Sequence, residues 1–328
     1  MPRRWHTASA SRWASRRSVA PLGRRREASR RLRVSSAPTM TALLRSLRPL
    51  HWTKNVLLFA PVFLAHRTGD AAAMTATALA FLSFSFCASA MYLVNDVRDA
   101  EFDRAHPTKK SRMIASGALS PMVAMIAAAL LLIAGVAIAF SVSLELVAYL
   151  AGYSILSLIY SLVFKRRAFL DVLALSALWT IRVLAGGVAA RVEVSDWLLA
   201  LSVFFFVGLA LLKRYADLGL LAAQSTNAAP GRGYVTGDRD LLRSMGVASG
   251  FMAVLVLALY LTSPQVTRLY QSPRLLWLVC PLFLYWIAHM WFLAHRGTIQ
   301  DDPIVVAARD PVSYAVGALI AVLVFAAI

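Results

Sequence analysis

Long apolar runs recur along this sequence from about residue 53 to its last residue. A bilayer core about 30 Å thick is crossed by a helix of roughly 20 apolar residues. We therefore predict nine membrane-spanning helices, at residues 53–70, 74–95, 120–140, 143–164, 169–190, 196–215, 243–263, 273–294 and 311–328. Because lipid offers no hydrogen bonds to the backbone, spans of this length must be helical. The predicted fold class is an all-α integral membrane protein.

The composition agrees, since 59% of the residues are hydrophobic and only 15% are charged, against about a quarter charged in soluble domains. Residues 1–39 differ, with eleven arginines, one acid and almost nothing to bury. They lack the apolar core of a signal peptide, so we expect a disordered extension or a mis-assigned start. Residues 40–328 form one polytopic domain. Despite the arginines, we expect no nucleic-acid partner.

Loop charges orient the predicted helices, because cytoplasmic loops carry an excess of Lys and Arg. The loops after the second, fourth, sixth and eighth predicted spans carry fifteen such residues, and the opposite loops carry four. We therefore predict a multi-pass protein of the cell inner (plasma) membrane. Its N-terminus and even-numbered loops face the cytoplasm, and its C-terminus faces out.

An acidic motif follows the second predicted span, with Asn95, Asp96, Asp99 and Asp103 in the pattern Asn-Asp-x-x-Asp-x-x-x-Asp. If the helix continued through the motif, the three aspartates would share one face and repel each other. Mg²⁺ removes such repulsion, and it typically binds one or two carboxylates together with substrate phosphates. Cations that could bind phosphate stand within the motif, at Arg98, and within ten residues after it, at Lys109 and Arg112. The motif predicts a Mg²⁺–diphosphate site at the membrane surface; the alternative is a solvated, charged loop.

Other charged residues stand within or next to the predicted spans. Arg182 lies near the middle of the fifth, where a charge is costly unless it faces a polar cavity or a partner. Asp171 lies three turns away on the same face, so Arg182 is either a phosphate ligand or half of a structural ion pair. Candidate substrate contacts also stand at the start of the first span and at or just after the end of the sixth, namely Lys54, Lys213, Arg214, Tyr215 and Asp217.

The acidic motif, on a cytoplasmic loop after the second of nine spans, resembles that of the UbiA superfamily of intramembrane prenyltransferases. The resemblance implies nine helices around a central cavity open to the cytoplasmic side. The stretches 48–55, 106–117, 171–187 and 213–217 are similar to one branch of the superfamily, which transfers phosphoribosyl groups. The second Asp-x-x-x-Asp motif of the aromatic prenyltransferases is absent near the sixth span, which favours this branch.

The resemblance implies a polytopic transferase that moves 5-phosphoribosyl from phosphoribosyl diphosphate to a polyprenyl (decaprenyl) phosphate. Diphosphate is released, and Mg²⁺ is the cofactor. In this branch Asn95, Asp96, Asp99 and Asp103 would hold Mg²⁺, with the three aspartates also counted as catalytic. The implied substrate contacts are Lys54, Arg98, Lys109, Arg112, Lys165, Arg182, Lys213, Arg214, Tyr215 and Asp217.

Two other functions stay open at this point. One is prenyl transfer from a prenyl diphosphate to an aromatic acceptor, as in other members of the superfamily. The second is membrane transport, in which Arg182 and Asp171 would couple ions, although no paired repeats are visible. The implied partners are the two substrates and the lipid bilayer. The sequence does not decide between a monomer and a homo-oligomer.

Overall fold

The structure, a computed structural model, describes residues 39–105, 109–223, 233–299 and 302–328. Apart from Thr39, the predicted N-terminal extension lies outside the described residues. The described chain contains thirteen α-helices: α1 (Thr39–Ser46), α2 (Ala60–Leu64), α3 (Ala71–Arg98), α4 (Ala100–Ala105), α5 (Pro121–Val142), α6 (Leu144–Leu162), α7 (Leu170–Ala190), α8 (Asp196–Ala223), α9 (Arg239–Leu261), α10 (Pro264–Leu269), α11 (Val279–His295), α12 (Pro303–Ala307) and α13 (Pro311–Ala327). Five 3₁₀ segments connect or extend them: Pro49–Phe59, Lys109–Ser111, Phe164–Arg166, Thr236–Asp238 and Pro273–Leu278.

Seven helical stretches within the described residues are long and apolar enough to cross a membrane. They cover Ala71–Arg98, Pro121–Val142, Leu144–Arg166, Leu170–Ala190, Asp196–Ala222, Thr236–Leu261 and Pro273–His295. Each coincides with a predicted span, so the all-helical prediction is confirmed for these seven. Helix α13 is apolar but shorter. The count of nine crossings stays a prediction.

The first predicted span, 53–70, does not form one α-helix. The 3₁₀ segment Pro49–Phe59 leads directly into α2, which ends at Leu64. A 3₁₀ helix rises about 2.0 Å per residue, more than an α-helix, and rarely exceeds four residues. Pro49–Leu64 therefore reaches about 30 Å with an unusually long 3₁₀ segment. Pro49 and Pro61 contribute to the absence of one regular α-helix here, because each proline removes one backbone hydrogen-bond donor. Such a segment often marks a functional region.

Helix α7 is the centre of the bundle. Two thirds of its apolar stretch is buried, against 17% for the stretch containing α6, and it packs against α3, α6, α8 and the Pro49–Phe59 segment. Gly186 permits the last contact, because a Cβ at this position would overlap the carbonyl oxygen of Leu58. Helices α5, α6 and α11 keep mostly exposed apolar surfaces, as expected next to lipid.

The bundle has two ends. We call the end where α3 finishes and α7 begins the site end, because it carries the acidic motif. Two cavities, of about 560 and 620 Å³, lie at the opposite end, beside Trp197 and Ser143 respectively. Neither is the predicted cavity beside the motif, which therefore stays a prediction.

Candidate active site

The acidic motif starts on α3 and continues past a break in the helix. Helix α3 ends at Arg98, and Asp99 leaves the helical region with φ −89° and ψ 4° before α4 begins. The chain keeps turning, since the Asp103 N–H donates to the Asp99 carbonyl at 2.9 Å. The expected continuous helix is therefore interrupted at Asp99, and the three carboxylates do not lie along one regular face.

Two arginines join part of the motif. Arg112 donates through one nitrogen to Asp96 at 3.0 Å and to Asp103 at 2.7 Å. Arg48 donates to both carboxylate oxygens of Asp96 at 2.7 Å, and its guanidinium lies 4.9 Å from the ring centroid of Tyr92. Asp96 and Asp103 are both buried. Two carboxylates and two guanidinium groups thus converge at the site end.

Arg48 reaches Asp96 from a strained backbone. Its φ of 53° and ψ of 60° lie in the left-handed region, which costs a non-glycine residue of order 1–3 kcal/mol and is enriched at functional sites. We predicted the stretch 48–55 to be functional but did not place Arg48 in the site. Its only signal in the sequence is its position just before Pro49, and that does not predict its partner.

Asp99 has different partners. Its carboxylate lies 3.6 Å from Lys165, next to α6, and 3.6 Å from its neighbour Arg98. The predicted contact Lys109 is exposed on the short 3₁₀ segment Lys109–Ser111. Among the described residues, no three His, Cys, Asp or Glu side chains are grouped to hold a metal. The motif is thus split between two sets of cations.

Arg182 is buried in the middle of α7 among neutral acceptors. Its Nε donates to Asn55 at 2.7 Å, one Nη to Tyr153 at 3.0 Å and the other to the Leu178 carbonyl. Asn55 in turn donates to Ser85 on α3 at 2.9 Å. No carboxylate pairs with Arg182 in the part of the chain that the structure describes. Its positive charge is therefore hydrogen-bonded but not neutralised by an ion pair.

The predicted alternative, a pair between Asp171 and Arg182, is not formed. Asp171 is fully buried and accepts from Arg214 and from Tyr234, each at 2.5 Å. A separation of eleven residues does place Asp171 and Arg182 on one face of α7. Helix α8 packs against α7, however, and supplies Arg214, which binds Asp171 in place of Arg182.

Arg214 is 1% exposed and also donates to Asp217 at 2.8 Å and to Tyr160 at 3.0 Å. All three of its nitrogens are engaged, which favours a structural role over the predicted substrate contact. Asp217, predicted on the face of Lys213, pairs with Arg214. Burial and the bond to Asp171 raise the pKa of the Tyr234 hydroxyl, so Tyr234 stays a neutral donor.

Tyr215 is also buried, and it is packed against other side chains. Its hydroxyl lies 3.1 Å from His295 Nδ1, and the guanidinium of Arg239 lies 4.3 Å from its ring centroid. These contacts favour a packing role at the end of α8 over the predicted substrate contact.

Lys54 and Lys213 meet at Asp302, a residue that we did not predict. The Asp302 Oδ2 lies 2.8 Å from the Lys54 nitrogen and 2.5 Å from the Lys213 nitrogen. Burial raises the pKa of this carboxyl, but the two ammonium groups outweigh burial and hold it well below its usual range. Asp302 is therefore ionised. Its sequence separations from these lysines are 248 and 89 residues, so no local pattern reveals the contact.

Comparison with known proteins identifies the family. The model of the UbiA prenyltransferase family matches residues 56–219, which include the acidic motif, Arg182 and Lys213. The chain belongs to the UbiA prenyltransferase family. It is a membrane-embedded transferase, and the transport alternative is set aside. A solved UbiA homologue from Archaeoglobus fulgidus, bound to GPP and Mg²⁺, has the same fold, with a TM-score of 0.66 at 17% identity over 87% of this chain and 99% of that one.

Several UbiA-like relatives have more similar sequences. The uncharacterised protein y4nM of Sinorhizobium fredii is 39% identical over 85% of this chain, which spans only 54% of that protein. The nodulation protein NoeC of Azorhizobium caulinodans is 35% identical, covering 80% of this chain and 85% of that one. The decaprenyl-phosphate phosphoribosyltransferase of Mycobacterium tuberculosis is 33% identical, covering 68% and 75%.

The residues at the site end fit a magnesium ion. Asp96 and Asp103 are close enough to share one arginine nitrogen, and the Oδ1 of Asn95 is buried without a hydrogen-bond partner among the described residues. Carboxylate and amide oxygens are the hard ligands that Mg²⁺ prefers. Asp96 and Asp103 therefore offer two neighbouring carboxylates, and Asn95, one helical turn before Asp99, carries an unsatisfied amide oxygen.

Proposed function

We propose that this UbiA-family protein transfers a 5-phosphoribosyl group from phosphoribosyl diphosphate to a polyprenyl phosphate, such as decaprenyl phosphate. The lipid phosphate oxygen attacks C1 of the ribose, the bond from C1 to the diphosphate oxygen breaks, and diphosphate leaves. The site would face the cytoplasm at the inner membrane. The name of the mycobacterial relative supports this substrate pair.

One observation carries the proposal: two arginines, Arg48 and Arg112, already lie on the carboxylates that fit a metal ion. A leaving diphosphate needs such a combination of metal ligands and cations, because negative charge builds up on it in the transition state. Asp96, Asp103 and Asn95 would hold Mg²⁺, which would neutralise part of that charge. Arg48 and Arg112 would donate hydrogen bonds to the diphosphate oxygens.

The remaining residues fit the same reaction. A phosphate nucleophile is ionised at neutral pH, so the site needs no strong base to activate it. The charge of Arg182, which has no ion-pair partner among the described residues, would favour an anionic substrate in the bundle, with its protein hydrogen bonds holding the guanidinium in place. Lys165, beside Asp99, and Lys109 are further candidate phosphate contacts.

The test is a transfer assay with detergent-purified protein, labelled phosphoribosyl diphosphate and decaprenyl phosphate. We expect a labelled lipid product that requires Mg²⁺. Asp96→Asn and Asp103→Asn should each lower kcat/KM by at least about tenfold, since each removes a charged ligand. Glu101→Gln is the matched control, because Glu101 is an exposed acid on α4 at one of the unspecified positions of the motif.

Prenyl transfer to an aromatic acceptor is the competing reaction. Product formed from a prenyl diphosphate and an aromatic acid, with none from phosphoribosyl diphosphate, would replace our proposal with that function. Normal turnover in both aspartate variants would remove the acidic motif from the mechanism.

A further inference from the structure

We infer that Lys54, Lys213 and Asp302 form a second phosphate subsite, which binds a phosphomonoester without a metal ion. The inference rests on the proposed function for its ligands, since that reaction brings in a diphosphate and two phosphomonoesters: the 5-phosphate of the donor and the phosphate of the lipid. The acidic motif would take the diphosphate. The second cluster is then free for one of the other two groups.

The cluster is built from three separate parts of the chain. Lys54 comes from the Pro49–Phe59 segment, Lys213 from the end of α8, and Asp302 from the residue that caps α12. Helix α12 packs against both of the other elements. The Asp302 Oδ1 also accepts the Ile304 N–H at 3.3 Å. The carboxylate is therefore fixed to its own helix, and it holds two ammonium groups together that would otherwise repel each other.

The accessible part of the cluster is positive. The side chains of Lys54 and Lys213 are 12% and 22% exposed, whereas that of Asp302 is 2% exposed. Two ammonium groups and one carboxylate leave a formal charge of +1. Each ammonium has three donors, of which the bond to Asp302 uses one. The exposed surface of these three side chains therefore belongs to the lysines, and a phosphate that approaches it would meet their donors.

The two clusters differ in the chemistry they can supply. The acidic motif offers two carboxylates and the unsatisfied Asn95 oxygen, which suit a metal-bound diphosphate. The second cluster has a single carboxylate, bound by two lysines, and so has fewer oxygen ligands to offer a metal ion. Ammonium groups bind phosphate as point charges without a metal. A monoester carries less charge than a diphosphate, and two lysines are enough to bind it.

The test measures binding by calorimetry on the full chain in detergent with EDTA present. One arm titrates ribose 5-phosphate, which represents the donor, and the other titrates farnesyl phosphate, which represents the lipid. We expect wild-type protein to bind at least one of them. Lys54→Met and Lys213→Met should each weaken that binding about ten- to a hundredfold, the effect of losing a charge-assisted hydrogen bond. The arm that responds identifies the source of the phosphate.

Three controls make the result specific. Lys110→Met changes an exposed lysine near the motif and should leave binding unchanged. Lys213→Arg keeps the charge and should restore most of the affinity, even if the methionine variants unfold. Diphosphate with Mg²⁺ should bind both methionine variants nearly as well as wild type, whereas Asp103→Asn should weaken it.

The inference is overturned if wild type binds neither monoester in EDTA, or if neither lysine variant changes the affinity. Equal losses for Mg²⁺–diphosphate and for the monoester would also overturn it, because the two clusters would then be one site. Wild type that binds a monoester through these lysines but transfers no phosphoribosyl group would refute the proposed function and still support the subsite.

Discussion

At the scale of single residues, the buried charges divide into two kinds. The Asp171–Arg214 pair is closed: every nitrogen of Arg214 has a protein partner, and Tyr234 donates to the same carboxylate. The side chains of Lys54 and Lys213 keep accessible surface. Closed pairs hold helices together, whereas partly accessible cations can exchange a protein partner for a substrate. This difference separates structural charges from binding charges at the site end.

The closed pair leads to a stability prediction. Arg214→Met leaves Asp171 buried without its cation, so unfolding in detergent should need about 3–5 kcal/mol less free energy. The double variant Asp171→Leu/Arg214→Met removes both charges and should recover much of that loss. Arg243→Met is the control: its pair with Asp240 is exposed, so the change should stay below about 1 kcal/mol. A double variant as unstable as the single one would contradict this account.

At the scale of elements, the contact between α7 and the Pro49–Phe59 segment positions the site. This segment carries both Lys54 and Asn55, and it lies so close to α7 that Gly186 has no room for a side chain. Adding a methyl group at Gly186 should therefore displace Lys54 and Asn55, which bind Asp302 and Arg182 respectively.

Gly186→Ala tests that dependence. We expect lower thermal stability and loss of transfer activity, because the Leu58 backbone cannot move as a flexible side chain would. Gly317→Ala is the matched control on α13, where nothing lies within 4 Å of the added methyl group. Alanine is the better helix former by up to about 1 kcal/mol, so this variant should be as stable as wild type or more so. Equal behaviour of the two variants would show that the close contact is unimportant.

The same elements show what the sequence could predict. Apolar length located seven spans, because lipid demands about 20 apolar residues in any helix that crosses it. The length of an apolar run could not show that residues 49–59 form a 3₁₀ helix, since the same apolar residues suit a 3₁₀ helix and an α-helix equally. Helical periodicity placed Asp171 and Arg182 on one face, but which cation reaches Asp171 depends on how α8 packs. Asp302 was missed because its partners come from distant parts of the chain.

At the scale of the whole molecule, the number of crossings decides on which side of the membrane each end lies. Seven helices are long enough to cross, and Pro49–Leu64 and α13 are two further candidates. If both cross, the chain has nine spans and its two ends lie on opposite sides.

Reporter fusions test this arrangement. A reporter placed after Gln224 should read cytoplasmic, as the basic loops require, and one placed after Ile328 should read external. Fusions that retain transfer activity provide the control for correct insertion. A cytoplasmic signal at both positions would remove one crossing and revise the count to an even number.

The position of Asp302 near the end of the chain also affects how the protein is made. During translation, Lys54 is synthesised 248 residues before its carboxylate partner, and Lys213 precedes it by 89. Both lysines enter the membrane region while the carboxylate is still missing from the nascent chain. A chain that stops before Asp302 could insert most of its helices and would still hold two uncompensated ammonium groups. The segment that carries Asp302 therefore completes this cluster, and it is synthesised after both of its lysine partners.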